Sequence, residues 1–129
     1  WYKNYECGRN KELQELAPAY ADFFASVNDR VVDLMEIFSK KMYVHPEFMG
    51  SASIKKVLPA VVPDLSYKDL NVQEGQTASR LWTQTVLQNR FSPEEREQIL
   101  KDLLKYCQLD TLAMVEIYRR MCAVADIRS

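Results

Sequence analysis

The sequence predicts a mainly α-helical fold, and three observations support this. The chain of 129 residues contains 47% hydrophobic and 27% charged residues but only 3 glycines, which is typical of an ordered globular chain rich in helix. Apolar residues recur at three- and four-residue steps, as amphipathic helices require. Ser92-Pro93-Glu94-Glu95 combines an N-cap serine, a proline at the first helical position and a capping-box glutamate. The length suits one domain with a single core, so residues 1–129 are treated as one domain.

The first part of the chain predicts two helices, a third apolar segment and a loop. Proline removes a backbone donor and clashes with the preceding turn, so Pro18 divides the first periodic run into two helices. The segment from Val31 to Phe38 fits either a short strand or a helix, and we favour a helix. His45-Pro46 and Met49-Gly50-Ser51 then predict a loop. The apolar residues of the first run are Leu13, Leu16, Tyr20, Phe23, Phe24, Val27 and Val31.

The second part predicts four more helical stretches. A short helix from Ser53 to Leu58, capped by Ser51 or Ser53, should be stopped by Pro59. A turn at 63–66 precedes a helix over about 77–88. The capping box at Ser92 opens the next helix, and a last helical stretch covers residues 112–124.

Composition also restricts the partners and the compartment. The net charge is −1, from 17 basic and 18 acidic residues, whereas a sequence-independent nucleic-acid binder is normally basic. No apolar run approaches the roughly 18 residues that span a bilayer, so no membrane partner is expected. Cys7, Cys107 and Cys122 form no C-x-x-C pair, which predicts reduced thiols and a cytoplasmic protein. The chain begins Trp1-Tyr2-Lys3 without a methionine, and we interpret it as a piece of a larger protein.

The most informative residues are Tyr106 and Asp110. Residues four apart share one face of a helix, so a phenol and a carboxylate would point the same way. A carboxylate can bind a divalent metal, and a nearby phenol can orient a water nucleophile. Plainer interpretations stay open. Tyr106 would then be a half-buried packing residue, and Asp110 with Thr111 would cap the last helix.

Several phrases of the chain resemble a known family. The spacing Y-x3-D is that of the third motif of the DEDDy 3'–5' exonucleases. The phrase LLKYCQLDTLAMV at 103–115 resembles the end of a bacterial domain-of-unknown-function family predicted to be ribonuclease H-like. NYECGRNKEL at 4–13, HPEFMGSASIKKVLP at 45–59 and PDLSYKDLNVQEG at 63–75 match that family in order. The resemblance therefore covers nearly all of the chain.

This resemblance implies a fold and a metal site. The chain would be the helical C-terminal half of a ribonuclease H-like α/β domain whose first strands are missing. Asp110 and Glu6 would bind Mg²⁺ or Mn²⁺ in a two-metal site, and Tyr106 would position the attacking water. The first-motif D-x-E does not occur in the sequence, so we expect this piece to be inactive alone. The histidine form of the third motif would need a histidine at Lys105, so the tyrosine form is the better match.

Weaker candidates carry plainer alternatives. Lys55 and Lys56 follow Gly50-Ser51 and would contact phosphate near a helix N-terminus, with Lys55 the leading candidate, although we favour a solvated lysine pair. Glu6 would otherwise be a solvated glutamate. Asp33 lies in an apolar run, and we expect a helix-face carboxylate or a hydrogen-bonded structural carboxylate there rather than a ligand.

Three functions remain open. The parent protein is a nuclease acting on nucleic acid, a catalytically inactive scaffold or nucleic-acid-binding module, or a helical protein-interaction domain. An upstream D-x-E on a strand would separate the first from the last. If strands are missing, the chain should self-associate or keep its missing half bound. The expected apolar patch contains Trp1, Tyr2 and some apolar residues of the last helix, among Leu112, Val115 and Tyr118.

Overall fold

The computed structural model describes residues 1–125, which form six α-helices and no β-strand. The prediction of a mainly α chain is confirmed. A 3₁₀ turn follows α1, another precedes α4, and a π-helical turn follows α5. Within the described part, no helix is long and apolar enough to cross a membrane. The helices are α1 (Lys3–Leu16), α2 (Ala21–Arg30), α3 (Met35–Ser39), α4 (Ile54–Val61), α5 (Gly75–Trp82) and α6 (Pro93–Val124).

Helices α1 and α2 form a hairpin, and the predicted break at Pro18 is confirmed. Pro18 opens the 3₁₀ turn that joins the two helices. They pack against each other, and the Asn28 amide is central to the contact. Its Oδ1 accepts a hydrogen bond from Asn10 Nδ2 (2.8 Å), and its Nδ2 donates to the Cys7 carbonyl (3.2 Å). No residue of either helix is buried, so their apolar faces stay largely uncovered by residues 1–125.

The segment from Val31 to Phe38 is helical only in its second half. Helix α3 begins at Met35, and Asp33 precedes it. Asp33 Oδ1 accepts a hydrogen bond from the Met35 N–H (2.9 Å) and lies 2.7 Å from the Trp1 backbone nitrogen. The prediction of a structural carboxylate at Asp33 is therefore confirmed.

Pro59 does not stop α4, contrary to the prediction. The helix continues to Val61 with Pro59 inside it. One backbone hydrogen bond is lost at the proline. Val57 and Leu58 are fully buried and Val61 is 6% exposed, so burial of this face offsets the loss. Ser53 holds the N-cap position, but its side chain makes no capping hydrogen bond.

The helix predicted over about 77–88 has different ends. Helix α5 begins at Gly75 and ends at Trp82, and the chain then widens into a π-helical turn over Thr83–Leu87. In this turn the Gln88 N–H donates to the Thr83 carbonyl (3.0 Å), five residues earlier.

Helix α6 is a single helix of 32 residues, where two helical stretches were expected. The capping box is confirmed: Ser92 Oγ accepts from the Glu95 N–H (3.3 Å), and the Glu95 carboxylate accepts from the Ser92 N–H (2.9 Å). No glycine or proline occurs from Glu94 to Val124, so nothing ends the helix near Asp110. The interpretation of Asp110 as a helix cap is therefore wrong.

The core lies between α6, α4 and the loops that flank α4. Trp1 belongs to its margin, because its ring stacks on Phe38 at 5.3 Å and its Nε1 donates to the Ala52 carbonyl (2.7 Å). The expected exposure of Trp1 is therefore wrong, whereas Tyr2 is exposed. The buried apolar residues are Phe38, Phe48, Ile54, Val57, Leu58, Val61, Tyr67, Val72, Leu103, Tyr106, Ala113, Ile117 and Met121.

Candidate functional site

Asp110 lies on the face of α6 that packs into the core. The buried residues of this helix follow a helical stripe, and Asp110 occupies a position on the same stripe. Such a stripe is normally apolar, and a carboxylate there needs a partner. Asp110 is therefore the one acidic side chain in the core-facing row of α6, whose other members are Leu103, Tyr106, Ala113, Ile117 and Met121.

Tyr67 is that partner. Its hydroxyl donates a hydrogen bond to Asp110 Oδ1 at 2.7 Å, and its side chain is buried. Burial raises the pKa of the Tyr67 phenol, and the hydrogen bond to Asp110 raises it further. The phenol therefore stays protonated near neutral pH and holds one carboxylate oxygen in a fixed direction. Among residues 1–125, no hydrogen bond reaches the other oxygen, Oδ2.

Tyr106 lies one turn before Asp110, as the spacing predicts, and its ring packs at 6.2 Å from the Tyr67 ring. Burial raises the pKa of Tyr106 to about 12, and the charges of Asp110 and Tyr2 contribute to the shift. A Cβ atom at Gly75 would lie 3.6 Å from the Tyr106 hydroxyl, so this hydroxyl lies beside the first residue of α5. Tyr106 is both a core residue and a neighbour of the carboxylate.

Glu6 lies in the first turn of α1, and its side chain is exposed. The Glu6 N–H donates to the Tyr2 carbonyl (3.0 Å), so Tyr2 is one turn away. Within the described residues, the Glu6 side chain makes no hydrogen bond or ion pair, with Asp110 or with any other residue, so a shared metal site of Glu6 and Asp110 stays a prediction.

The oxygen donors suit a hard divalent ion, but their number is small. Mg²⁺ and Mn²⁺ prefer carboxylate oxygen, which Asp110 Oδ2 and Glu6 offer. In the part of the chain that the structure describes, no group of three or more His, Cys, Asp or Glu side chains has a metal-binding arrangement. Metal binding by Asp110 and Glu6 therefore stays a prediction.

Lys55 forms an ion pair with Glu74. Its Nζ lies 2.9 Å from Glu74 Oε1, and both side chains are exposed. An exposed ion pair contributes only about 0–1 kcal/mol, so Lys55 remains free to exchange partners. A contact of Lys55 with nucleic acid stays a prediction.

A polar groove along α5 and the π-helical turn was not predicted. Its volume is about 470 Å³, and no acidic side chain lines it. Sequence reasoning also missed Tyr67, because its partner is 43 residues away and no local pattern links the two. The groove is lined by Gln76, Ser79, Arg80, Thr83, Gln84, Gln88 and Arg90.

Comparisons with known proteins agree with a bacterial domain of unknown function. Residues 1–53 match the family described as "Domain of unknown function (DUF2779)". An uncharacterized protein of Ureaplasma parvum serovar 3 is 30% identical over 131 residues, covering 89% of this chain and 19% of that protein. An uncharacterized protein of Mycoplasma genitalium is 28% identical over 126 residues, with the same coverage. No solved structure matches the chain.

The chain therefore spans about a fifth of the length of the curated bacterial relatives that it matches. Over its first 53 residues it is similar to a domain of unknown function, and over most of its length to two bacterial proteins.

Proposed function

We propose that the protein containing this chain is a metal-dependent 3'–5' exonuclease of the DEDDy type with a ribonuclease H-like fold. The main support for this proposal is the position of Asp110 on the core-facing stripe of α6, one turn from Tyr106. Side chains that break the local rule for a core position are expected at functional sites. Together with the resemblance of LLKYCQLDTLAMV to the third exonuclease motif, this favours a site over a packing accident.

Each residue has a definite task in this proposal. Asp110 would bind a divalent ion through Oδ2, and Glu6 would supply a second carboxylate. Two such ions, about 3.5–4 Å apart, would activate water and stabilise the leaving oxygen of a phosphodiester. Tyr106 would orient the water, since a phenol with a pKa of about 12 keeps its proton at neutral pH. The D-x-E carboxylates would come from a part of the protein outside this sequence.

The test uses the whole natural protein that contains this chain. Asp110→Asn should lower cleavage of single-stranded DNA or RNA with Mn²⁺ by more than the roughly 10- to 100-fold typical of a group one step from the metal. Tyr106→Phe should slow cleavage more than it weakens Mn²⁺ binding. Asp102→Asn is the matched control, because Asp102 lies on α6 and accepts hydrogen bonds from Asn71 and Gln98. Wild-type rates in both site variants would remove Tyr106 and Asp110 from the site.

Two other functions have specific support. The Tyr67 hydrogen bond satisfies Asp110 as a structural carboxylate, which favours an inactive scaffold or nucleic-acid-binding module. The apolar faces of the α1–α2 hairpin favour a helical interaction domain. Full-length protein that binds nucleic acid without cleaving it would select the first of these. For the compartment we propose the reducing cytoplasm, supported by the free thiols of Cys7, Cys107 and Cys122.

A further inference from the structure

The groove along α5 concentrates positive charge. Both of its charged side chains are arginines, and its other lining residues carry amides or hydroxyls. The chain as a whole has one more acidic than basic residue, so this bias does not reflect overall composition. A surface of arginines, amides and hydroxyls, without carboxylates, is suited to phosphate and to the polar edges of nucleotides.

The two arginines are also uncommitted. Within residues 1–125, neither Arg80 nor Arg90 forms a salt bridge or a side-chain hydrogen bond. Several other exposed cations do have carboxylate partners, among them Lys55, Lys101 and Arg119. The groove therefore contains two guanidinium groups whose donors are available to an anion from outside the chain.

The π-helical turn builds one wall of this groove. Its wide turn is followed by Asn89 in a left-handed conformation (φ 49°), and the Arg90 N–H donates back to the Gln84 carbonyl (3.0 Å). This return brings Arg90 beside the face of α5 that carries Arg80. Single π-helical turns are rare and occur often at functional sites. Thr85, at the centre of the turn, is 1% exposed, and its Oγ1 has no partner among the described residues.

The groove shares helix α5 with the surroundings of Tyr106. Gln76, its first lining residue, follows Gly75, which lies beside the Tyr106 hydroxyl. From Gly75 to Thr83 the helix rises about 12 Å, so the lining residues on α5 lie within about that distance, along the helix, of the residue beside Tyr106.

We propose that this groove holds the phosphodiester backbone of a single-stranded nucleic acid, with Arg80 and Arg90 bound to its phosphates. The inference rests on the proposed nuclease function, since it gives the substrate strand a path to Tyr106 and Asp110. The amides of Gln76, Gln84 and Gln88 would bind phosphate, sugar or base edges without strong sequence preference.

Binding of labelled oligonucleotides to the whole protein, measured by fluorescence anisotropy, tests this proposal. A metal chelator is present so that cleavage does not contribute to the signal. The probes are fluorescein-labelled oligothymidylate and oligouridylate of about 16 nucleotides, the upper range for single-strand modules. Arg80→Ala with Arg90→Ala should weaken binding by about tenfold or more. The slope of log affinity against log salt should fall by about 1.4, for two lost phosphate contacts. Lys11→Ala with Lys101→Ala, which removes the same charge from exposed sites on α1 and α6, should leave both values unchanged.

The outcomes are distinct. Three results would each overturn the proposal that the groove binds nucleic acid. These are equally weakened binding in both double variants, unchanged binding in the arginine variant, and no binding by the wild type. Binding of mononucleotides as tight as that of the oligonucleotides would also overturn a strand path. Melting temperatures of both variants separate a binding defect from unfolding. The nuclease proposal is tested separately, and it fails if the Asp110→Asn variant cleaves nucleic acid at the wild-type rate.

Discussion

At the scale of the residue, the hydrogen bond between Tyr67 and Asp110 satisfies a carboxylate on a core-facing position and orients it. A carboxylate on the core-facing stripe of α6 would be costly without a donor, and the Tyr67 hydroxyl supplies one at 2.7 Å. The hydrogen bond engages Oδ1 and leaves Oδ2 without a partner among residues 1–125. One oxygen is thereby fixed in direction, and in the proposed metal site the other would bind the cation as a pre-oriented ligand.

The hydrogen bond should be measurable in the stability of the chain. Tyr67→Phe should lower the free energy of unfolding by about 1.5 kcal/mol, the lower end for hydrogen bonds to charged groups, because Asp110 is only half-buried. Urea denaturation of the wild type and of the variant measures this difference in the free energy of unfolding. Tyr43→Phe is the control, since Tyr43 is half-buried and its hydroxyl makes no hydrogen bond within the described residues. Equal losses in the two variants would mean that the Asp110 contact contributes nothing specific.

The residues of this site differ in how far sequence could predict them. Tyr106 and Asp110 share a face because helical geometry relates positions four apart, whatever the tertiary structure. Tyr67 reaches Asp110 across 43 residues, through the packing of the loop between α4 and α5. No local rule encodes such a contact. The same holds for the groove, which depends on a chain reversal at Asn89 that brings Arg90 back to α5.

At the scale of the element, the start of α6 illustrates a local signal that suffices. Ser92 and Glu95 make reciprocal hydrogen bonds, and their residue types alone predict this arrangement. Pro59 illustrates the opposite case, because the burial of Val57 and Leu58 keeps α4 intact beyond a residue that normally ends a helix. Local sequence signals predict the end of a helix when that end is exposed to solvent. Tertiary burial overrides these signals where the helix packs into the core.

The two serine N-caps give a matched pair for testing this. Ser92→Ala should lower the free energy of unfolding by about 1 kcal/mol, because the side chain of Ser92 caps α6. Ser53→Ala should cost much less, since Ser53 holds the same position on α4 but makes no capping hydrogen bond. Chemical denaturation followed by circular dichroism measures both. Similar losses would show that the hydrogen bond itself is not the source of the effect.

The capping box also predicts a pH dependence. The hydrogen bond from the Ser92 N–H lowers the pKa of Glu95 below its ordinary value of 4.5, with help from the Ser92 side chain. A carboxyl group with a lowered pKa in the folded state contributes stability above pH 4.5 and loses it as the pH falls through its folded value. Glu95→Gln keeps an acceptor but does not titrate. The stability of the wild type relative to this variant should therefore decrease below pH 4.5. A difference that stays constant as the solution is acidified would contradict the prediction.

At the scale of the whole molecule, the core occupies only part of the structure. Helices α4 and α6 bury their apolar faces, while α1 and α2 bury none of their residues. The periodic pattern of the first 31 residues predicts the helices but not what covers them. A periodic pattern predicts that one face of a helix is apolar. It does not predict which other part of the fold packs against that face.

The uncovered hairpin carries the last prediction, which is that the isolated 129-residue chain self-associates at micromolar concentration. Leu16 is 80% exposed and Phe23 is 60% exposed, and contiguous apolar patches beyond a few hundred Å² are rare on soluble monomers. Each Å² buried would contribute about 25 cal/mol, so association or a bound remainder of the protein should cover the patch. Tyr2 is exposed as well, and Leu112, Val115 and Tyr118 form an exposed apolar row on α6.

Sedimentation velocity and binding of a hydrophobic dye measure this association. Leu16→Ser with Phe23→Ser should shift the chain toward monomer and reduce dye fluorescence, because the change removes apolar area from the hairpin. Met49→Ser with Leu87→Ser removes comparable area from exposed positions outside the hairpin and should leave association unchanged. A wild-type chain that stays monomeric and binds no dye would indicate a self-sufficient helical domain. The ribonuclease H-like proposal, which requires a sheet against these helices, would then lose its structural support.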